Sequence, residues 1–263
     1  GITESERTQR YVQMATQARV PHAIFIEGQL SPDGAVGEAR AGLLSYVTED
    51  FHPETSPDLV FIPIAINYDH IAEDVNMVRF TSAEFREKGR RYVALKGLQF
   101  GLRVAWEVLL RRRSYGYTCA NFGLPISFSA WLRQRDVDWP AQTREQRFHW
   151  IQELGGQLIG DITALVPATP VPMLCRLWFD NPSQVIAEST LADRFSAMVA
   201  CLRDAGCHPV LVGDAEQPTL EHALGMALKR GMIVRDGRGG LAVNPSATAL
   251  VRYYGNSLSQ YFE

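Results

Sequence analysis

Two apolar runs early in the chain each stop abruptly at polar residues. The first covers residues 23–26 and ends at Glu27 and Gly28, and the second covers 59–66 and ends at Asn67. Short apolar runs that are bounded by turn residues are typical of buried strands. Because α/β proteins bind ligands at the carboxyl ends of their strands, the pattern predicts two strands with a candidate binding site directly after the first.

Apolar residues at helical spacing predict helices around these strands. The pattern across 94–113 repeats at steps of three and four residues and predicts the clearest helix, while 4–19 predicts another that Pro21 ends. A third strand is expected at 117–122. Strands that alternate with helices indicate an α/β fold with a largely parallel sheet and flanking helices.

The second half of the chain is predicted to be mostly helical. The composition shifts near 137–142, which indicates a first domain over 1–140 and a second over 141–263. In the second domain, helices are expected at about 144–166, 183–205 and 220–230, then a hairpin at 232–243 and a last helix that carries Leu250, Tyr253, Tyr254 and Leu258. Helix, hairpin and helix in this order predict a winged-helix-like end.

The bulk composition is that of a globular protein. Hydrophobic residues make up 46% and charged residues 21%, and the net charge of −3 gives no reason to expect nucleic acid as a partner. The four cysteines show no CxxC and no metal-ligand spacing, which favours reduced thiols. No signal peptide and no transmembrane helix are expected. The start at Gly1 rather than Met is interpreted as the remnant of a tag or as the loss of upstream sequence, and the second is favoured.

Positive charge is concentrated in one segment, 86–113. It holds nine arginine or lysine residues and two glutamates, whereas the whole chain has a net charge of −3. Such an asymmetry suits an anionic membrane surface or phosphate-bearing substrates. A solvated helix face would give the same pattern.

The residues that follow the first apolar run carry a family resemblance. The tetrapeptide Phe-Ile-Glu-Gly at 25–28 resembles the third signature block of the glycerolipid acyltransferases, and the likeness is closest to the large bacterial glycerol-3-phosphate acyltransferases. Glu27, Gly28 and Ser31 match that block, while Leu30 stands where an arginine is usual. Taken alone, the same residues would also suit a strand that ends in a capping glutamate and a turn.

Further stretches extend the resemblance in the expected order. Arg40, followed closely by Gly-Leu-Leu, matches the basic residue expected after the third block. Residues 62–66, which contain Pro63, resemble the fourth block, in which a proline shapes an apolar wall. Proline in an apparent strand otherwise favours an edge strand or a bulge, because it cannot donate to the ladder. The tract 115–126 resembles the end of the acyltransferase core, where a strand and a turn are expected.

The resemblance implies an acyltransferase that needs no metal or organic cofactor. It implies transfer of a fatty acyl group from acyl-CoA or acyl carrier protein to glycerol 3-phosphate, or to a related lipid acceptor, in phospholipid biosynthesis. Glu27, Gly28, Ser31, Arg40 and Pro63 would line the substrate-binding site. The chain would hold part of the acyltransferase sheet and lie peripherally on the cytoplasmic face of the cell membrane.

The catalytic pair of the family is absent from this sequence. The family's general base is a histidine separated by four residues from an aspartate and placed upstream of the Glu-Gly block, and no such pair precedes Glu27. We therefore expect no catalytic residue in this chain and no activity from it alone. His70 and Asp74, with three intervening residues, would share a helix face and form the one alternative pair considered.

A second class of function is a non-catalytic module. Its winged-helix-like end would bind a protein partner or nucleic acid, and its recognition helix would need clustered basic residues. The expected helix at 220–230 ends in only Lys229 and Arg230 and carries Glu221. Charge therefore argues against nucleic acid as the ligand of this helix.

Overall fold

The computed structural model describes residues 4–72, 74, 115–237 and 239–262. The helix expected at 94–113 and the basic segment 86–113 lie outside these residues. The chain divides into two compact units, each assembled from separated stretches. Unit 1 comprises Gly1–Ser31, Val36–Ala65 and Asn121–Leu165; unit 2 comprises Pro32–Ala35, Ile66–Ala120 and Val166–Glu263. The expected boundary at 140–141 falls inside unit 1.

The described elements mix helices with short strands, as an α/β fold requires. The first part of the chain forms α1 (Glu4–Gln17), α2 (Gly42–Thr48), β1 (Val60–Phe61), β2 (Ile64–Tyr68), β3 (Thr118–Phe122), β4 (Ile126–Ser127), α3 (Phe128–Gln134) and α4 (Arg144–Leu165). The remainder forms α5 (Pro170–Arg176), β5 (Ile186–Ala187), α6 (Glu188–Asp204), α7 (Glu216–Lys229), β6 (Ile233–Arg235), β7 (Gly240–Val243) and α8 (Thr248–Asn256). The helices expected near the N-terminus and after residue 144 are thus confirmed.

The core of unit 1 forms around an aromatic cluster at the start of α3. The ring of Phe128 is fully buried and lies 5.0 Å from the ring of Phe51 and 5.2 Å from that of Trp139. The α4 helix adds buried Ile151, Leu154 and Leu158. Aromatic pairs in such edge-to-face arrangements stabilise beyond the area that they bury.

Polar groups fix the point where α3 begins. The hydroxyl of Ser127 accepts from the backbone N–H of Ala130, and the carboxylate of Asp58 accepts from the Ser127 hydroxyl and the backbone N–H of Ser129. Partial burial raises the pKa of Asp58, but these hydrogen bonds and one from the backbone N–H of Leu59 outweigh it and lower the pKa below its ordinary value. The first turn of the helix is therefore capped by side chains.

The described strands pair antiparallel, so the expectation of a largely parallel sheet is wrong for this part of the chain. In the first pair, β1 runs against β4 with Val60 opposite Ser127. In the second, β2 lies beside β3, and the backbone N–H of Gly123 donates to the carbonyl of Pro63. Pro63 stands at the break between β1 and β2 because it has no N–H to donate.

The strand expected at 23–26 does not form, because these residues are not part of a described ladder. Among the described residues, the one backbone hydrogen bond that joins them to a distant segment runs from the N–H of Arg40 to the carbonyl of Ile26. One hydrogen bond does not make a ladder, and a strand requires a neighbour along its length. Ile26 is buried, whereas Phe25 is 81% exposed.

Unit 2 is built around α5, whose residues from Pro170 to Cys175 are all buried. The helix begins with a proline in its first turn, where the missing N–H costs nothing. Strands β5, β6 and β7 form an antiparallel sheet in the order β5-β7-β6, and β6 and β7 make the hairpin expected at 232–243. The last helix, α8, carries Leu250, Tyr253 and Tyr254 as expected and buries all of them.

Among the described residues, no single helix has the length and apolar character to cross a membrane; only the bent pair of α4 and α5 meets that test jointly.

Candidate functional site

The residues after the first apolar run form a tight turn that closes against Arg40. The backbone N–H of Gly28 donates to the carbonyl of Phe25 over 2.9 Å, and the N–H of Arg40 donates to the carbonyl of Ile26 over 2.8 Å. These two bonds fix the direction in which Glu27 leaves the apolar segment. Glu27, Gly28 and Arg40, which are separated by up to 13 positions in the sequence, therefore lie together in unit 1.

Gly28 is required at this turn for two reasons. Its φ of +67° lies in the left-handed region, which residues with a Cβ avoid. A Cβ at this position would also stand 2.9 Å from the Cδ of Arg40. The glycine thus permits the aliphatic part of Arg40 to pack against the turn.

Glu27 is half-buried and folds back on its own loop. Its Oε2 accepts a hydrogen bond of 2.8 Å from the backbone N–H of Gly37. Among the described residues, no lysine or arginine forms an ion pair with this carboxylate. The carboxylate therefore shapes the loop through a backbone contact rather than by orienting a neighbouring cation.

Arg40 is exposed and holds its charge close to the turn. Its Nη2 donates to Oε1 of Gln29 over 3.0 Å, and this partner is neutral. Within the described ranges, no carboxylate lies within ion-pair distance of the guanidinium. An exposed guanidinium beside a glycine turn, with no described carboxylate to compensate its charge, is suited to bind an anion such as a phosphate.

The two remaining predicted site residues differ in their placement. Ser31 is half-buried and follows the same turn. Pro63 is buried against Gly123, where a Cβ would stand 3.3 Å from the proline Cβ and 2.8 Å from Cδ1 of Leu165. Pro63 thus contributes to an apolar wall in unit 1. Its role and that of Ser31 in binding substrate stay predictions.

His70 and Asp74 do not form the alternative pair. The ring of His70 stacks on Tyr115 at 5.4 Å, and the carboxylate of Asp74 binds Arg230 and the hydroxyl of Tyr254. Burial, followed by the charge of Asp74, raises the pKa of Tyr254 above its ordinary range, so the phenol stays protonated as a donor. These contacts are those of a buried structural network in unit 2.

A different histidine and aspartate are paired in unit 2. The Nε2 of His222 lies 3.0 Å from Oδ2 of Asp69, whose side chain is fully buried. The same carboxylate accepts from the backbone N–H of Tyr117 and from that of Val171. Neither the sequence spacing nor a motif indicated this pair. The one signal was Asp69 itself, which lies two residues after Asn67, where the second apolar run ends.

In the described part of the chain, no three histidine, cysteine, aspartate or glutamate residues are grouped so that they could hold a metal ion.

The sequence of this chain is similar to that of known proteins. Residues 102–262 match the family model described as the glycerol-3-phosphate acyltransferase C-terminal region. The chain is 22% identical over 246 residues to the glycerol-3-phosphate acyltransferase of Haemophilus influenzae (strain PittEE), with 90% of this chain and 29% of that protein covered.

Two further relatives agree with this match. Identity is 24% over 257 residues to the Pseudomonas putida (strain W619) glycerol-3-phosphate acyltransferase, with 92% of this chain and 29% of that protein covered. It is 33% over 120 residues to the mitochondrial glycerol-3-phosphate acyltransferase 1 of Mus musculus, with 44% and 13% covered. The chain therefore spans less than a third of the length of the relatives that it matches.

Proposed function

This chain belongs to the family of the glycerol-3-phosphate acyltransferase C-terminal region, and we propose that it contributes the acceptor side of an acyltransferase site. The reaction would move a fatty acyl group from acyl-CoA or acyl carrier protein to glycerol 3-phosphate, or to a related lipid acceptor, in phospholipid biosynthesis. The family match carries this proposal. The turn formed by Glu27, Gly28 and Arg40 supports it, because it presents an exposed cation for which the described part of the chain offers no compensating carboxylate.

The proposed chemistry divides between this chain and sequence that it does not contain. The acceptor hydroxyl attacks the thioester carbonyl, the carbon–sulfur bond breaks, and the proton of the hydroxyl passes through a general base to the leaving thiolate. The histidine and aspartate pair that supplies this base in the family has no counterpart before Glu27. In our proposal, the base comes from polypeptide that corresponds to the rest of the longer relatives.

Each residue of the turn has a role in this proposal. Arg40 binds the phosphate of the acceptor, and Gly28 lets the backbone approach it closely. Glu27 holds the loop in shape through the N–H of Gly37, and the charge of its carboxylate acts on the acceptor. The hydroxyl of Ser31 adds a hydrogen bond to the acceptor, and Pro63 forms part of the apolar wall beside the acyl chain.

The end of unit 2 is proposed to be winged-helix-like. The sheet order β5-β7-β6, with α6 and α7 between β5 and β6, supports this arrangement. The names of the relatives give no support to the alternative of a non-catalytic module that binds a partner or nucleic acid. We therefore assign this end a structural part in the acyltransferase.

A peripheral position on the cytoplasmic face of the membrane is also part of the proposal. It is supported by the positive charge of the segment 86–113, since each basic residue near an anionic surface contributes about 1 kcal/mol. Co-sedimentation with vesicles tests it: binding should require anionic lipid and fall with salt. Equal recovery on neutral and anionic vesicles, insensitive to salt, would exclude it.

The function is tested with a chimera in which this chain replaces its match in the Pseudomonas putida relative. Transfer from palmitoyl-CoA to glycerol 3-phosphate is measured for the chimera and for this chain alone. We expect transfer by the chimera and none by the chain. A folded chimera without transfer, or measurable transfer by the chain alone, would contradict the proposal.

A further inference from the structure

Unit 1 exposes a continuous apolar face on its strands. Three residues of one strand segment point outward in alternation, namely Val60 at 55%, Ile62 at 51% and Ile64 at 42% exposure, while Phe61 between them is half-buried and Pro63 is buried. Because side chains alternate between the two faces of a strand, the exposed residues form one row. This side of the strand is apolar and open to water.

The opposing strand segment extends the same face. Gly123 lies opposite Pro63, with its N–H bonded to the proline carbonyl at 2.8 Å. Its neighbours Phe122 and Leu124 are 68% and 87% exposed and lie on the same side as Ile62 and Ile64. We call the five residues Val60, Ile62, Ile64, Phe122 and Leu124 the open strand face.

These two segments carry no charge that would oppose association at the face. The stretches 60–65 and 121–125 contain no charged residue, although exposed strands usually carry lysine or other charges that prevent unwanted pairing. Contiguous exposed apolar surface of this kind marks an interaction site.

A cavity adjoins one end of the open strand face. It has a volume of about 550 Å³ and is lined by residues of α1, α2 and the segments 19–24, 50–51 and 55–61, including Val60. Apolar side chains such as Val20, Phe51 and Phe61 contribute to its wall. A partner that covers the strands would therefore also find a cavity that its side chains can fill.

We propose that the open strand face is covered by the polypeptide that the relatives carry outside the region matched by this chain. Two observations identify this occupant. The match leaves more than two-thirds of the Haemophilus influenzae and Pseudomonas putida proteins unaccounted for, and the segment 60–64 that carries the face also carries Pro63, whose buried side contributes to the apolar wall of the proposed acyltransferase site. The occupant would pack apolar side chains on the strands and bring the general base toward Glu27. This inference rests on the proposed function but concerns binding rather than turnover.

Cysteine labelling tests the proposal. The background variant is Cys201→Ser, which removes the exposed native thiol. Ile62→Cys and Leu124→Cys are introduced separately into this chain and into the Pseudomonas putida chimera. The rates at which the new thiols react with a maleimide are then compared between the two proteins. We expect both new thiols to react at least tenfold more slowly in the chimera. Val185→Cys is the matched control, because Val185 is an exposed apolar residue of unit 2, and its rate should not change.

Other outcomes separate this inference from the proposed function. Protected thiols in a chimera that transfers no acyl group would support the covered face and contradict the function. Unchanged rates in an active chimera, or an aggregated chimera in which both thiols still react fast, would overturn the covered face. Size-exclusion chromatography with light scattering examines a second copy as the occupant: a stable dimer of the chain that Ile62→Glu converts to monomer would also overturn it.

Discussion

The Nε2 of His222 lies 3.0 Å from the Oδ2 of Asp69, across 153 positions of sequence. Asp69 is fully buried and also accepts from the backbone N–H groups of Tyr117 and Val171. One carboxylate thus joins the segment before β3, the first turns of α5 and the α7 helix. Buried acceptors of this kind stabilise mainly because their donors have no other partner.

The first prediction concerns this carboxylate. Asp69→Ala leaves two backbone N–H groups and the imidazole without their acceptor, and each unsatisfied buried group costs about 1–3 kcal/mol. We expect a loss of at least 2 kcal/mol of unfolding free energy in urea denaturation. Asp193→Ala, at an exposed position of α6, is the control and should change it by less than about 0.5 kcal/mol. Equal stability of the two variants would show that Asp69 does not tie unit 2 together.

The second prediction concerns the turn at Gly28. Gly28→Ala places a Cβ in the left-handed region and 2.9 Å from the Cδ of Arg40. We expect a loss of about 1–2 kcal/mol of stability and a higher KM for glycerol 3-phosphate in the chimera. Gly42→Ala is the matched control, since a Cβ there meets nothing within 4 Å. Equal stability and equal KM in the two alanine variants would show that the turn does not require glycine at position 28.

The third prediction concerns the exposed cation. Arg40→Ala should raise the KM for glycerol 3-phosphate about tenfold or more in the chimera, because a charge-assisted hydrogen bond to phosphate is worth about 1.5–3 kcal/mol. The kcat should stay near that of the unchanged chimera, because the lost contact binds the ground state and the transition state equally strongly. Arg10→Ala, at an exposed position of α1, should leave KM unaltered. An unchanged KM in Arg40→Ala would remove Arg40 from the acceptor site.

The fourth prediction concerns the carboxylate of Glu27. Glu27→Gln keeps an oxygen that can accept from the N–H of Gly37, so stability should change by less than about 1 kcal/mol. The chimera should nevertheless lose most of its activity, because in our proposal the charge of this carboxylate acts on the acceptor. Glu38→Gln, in the same loop and exposed, should retain full turnover. Unfolding of Glu27→Gln, or full turnover, would identify Glu27 as a structural cap.

The fifth prediction concerns pH. The hydrogen bonds at the start of α3 lower the pKa of Asp58 in the folded chain. A carboxyl group whose pKa is lower in the folded state than in the unfolded state stabilises the fold at every pH above its unfolded pKa of about 3.9. This stabilisation is lost as the pH falls through the lower pKa of the folded state. Between pH 5 and 2.5, the stability of Asp58→Asn should therefore fall less steeply than that of the unchanged chain in urea titrations. If the unfolding free energies of the two proteins fell equally steeply with pH, Asp58 would not act as an ionised cap.

The sequence indicated local elements better than their partners. The helices near 144 and 220, the hairpin after 232 and the turn at Gly28 follow from periodicity and from residue types that act over a few positions. The antiparallel pairing of β1 with β4 could not be predicted, because strand direction depends on neighbours that lie more than 60 residues away. The pair of Asp69 and His222 was missed for the same reason.

The assembly of unit 1 from three separated stretches has a consequence for synthesis of the protein. Its core includes Ile26 from the first stretch and Leu158 from the last. A ribosome that makes the chain from its N-terminus must therefore complete α4 before this core can close. Until then, the apolar segments at 23–26 and 60–65 have left the ribosome but their packing partners have not been synthesised. Chains with apolar segments exposed in this way depend on chaperones.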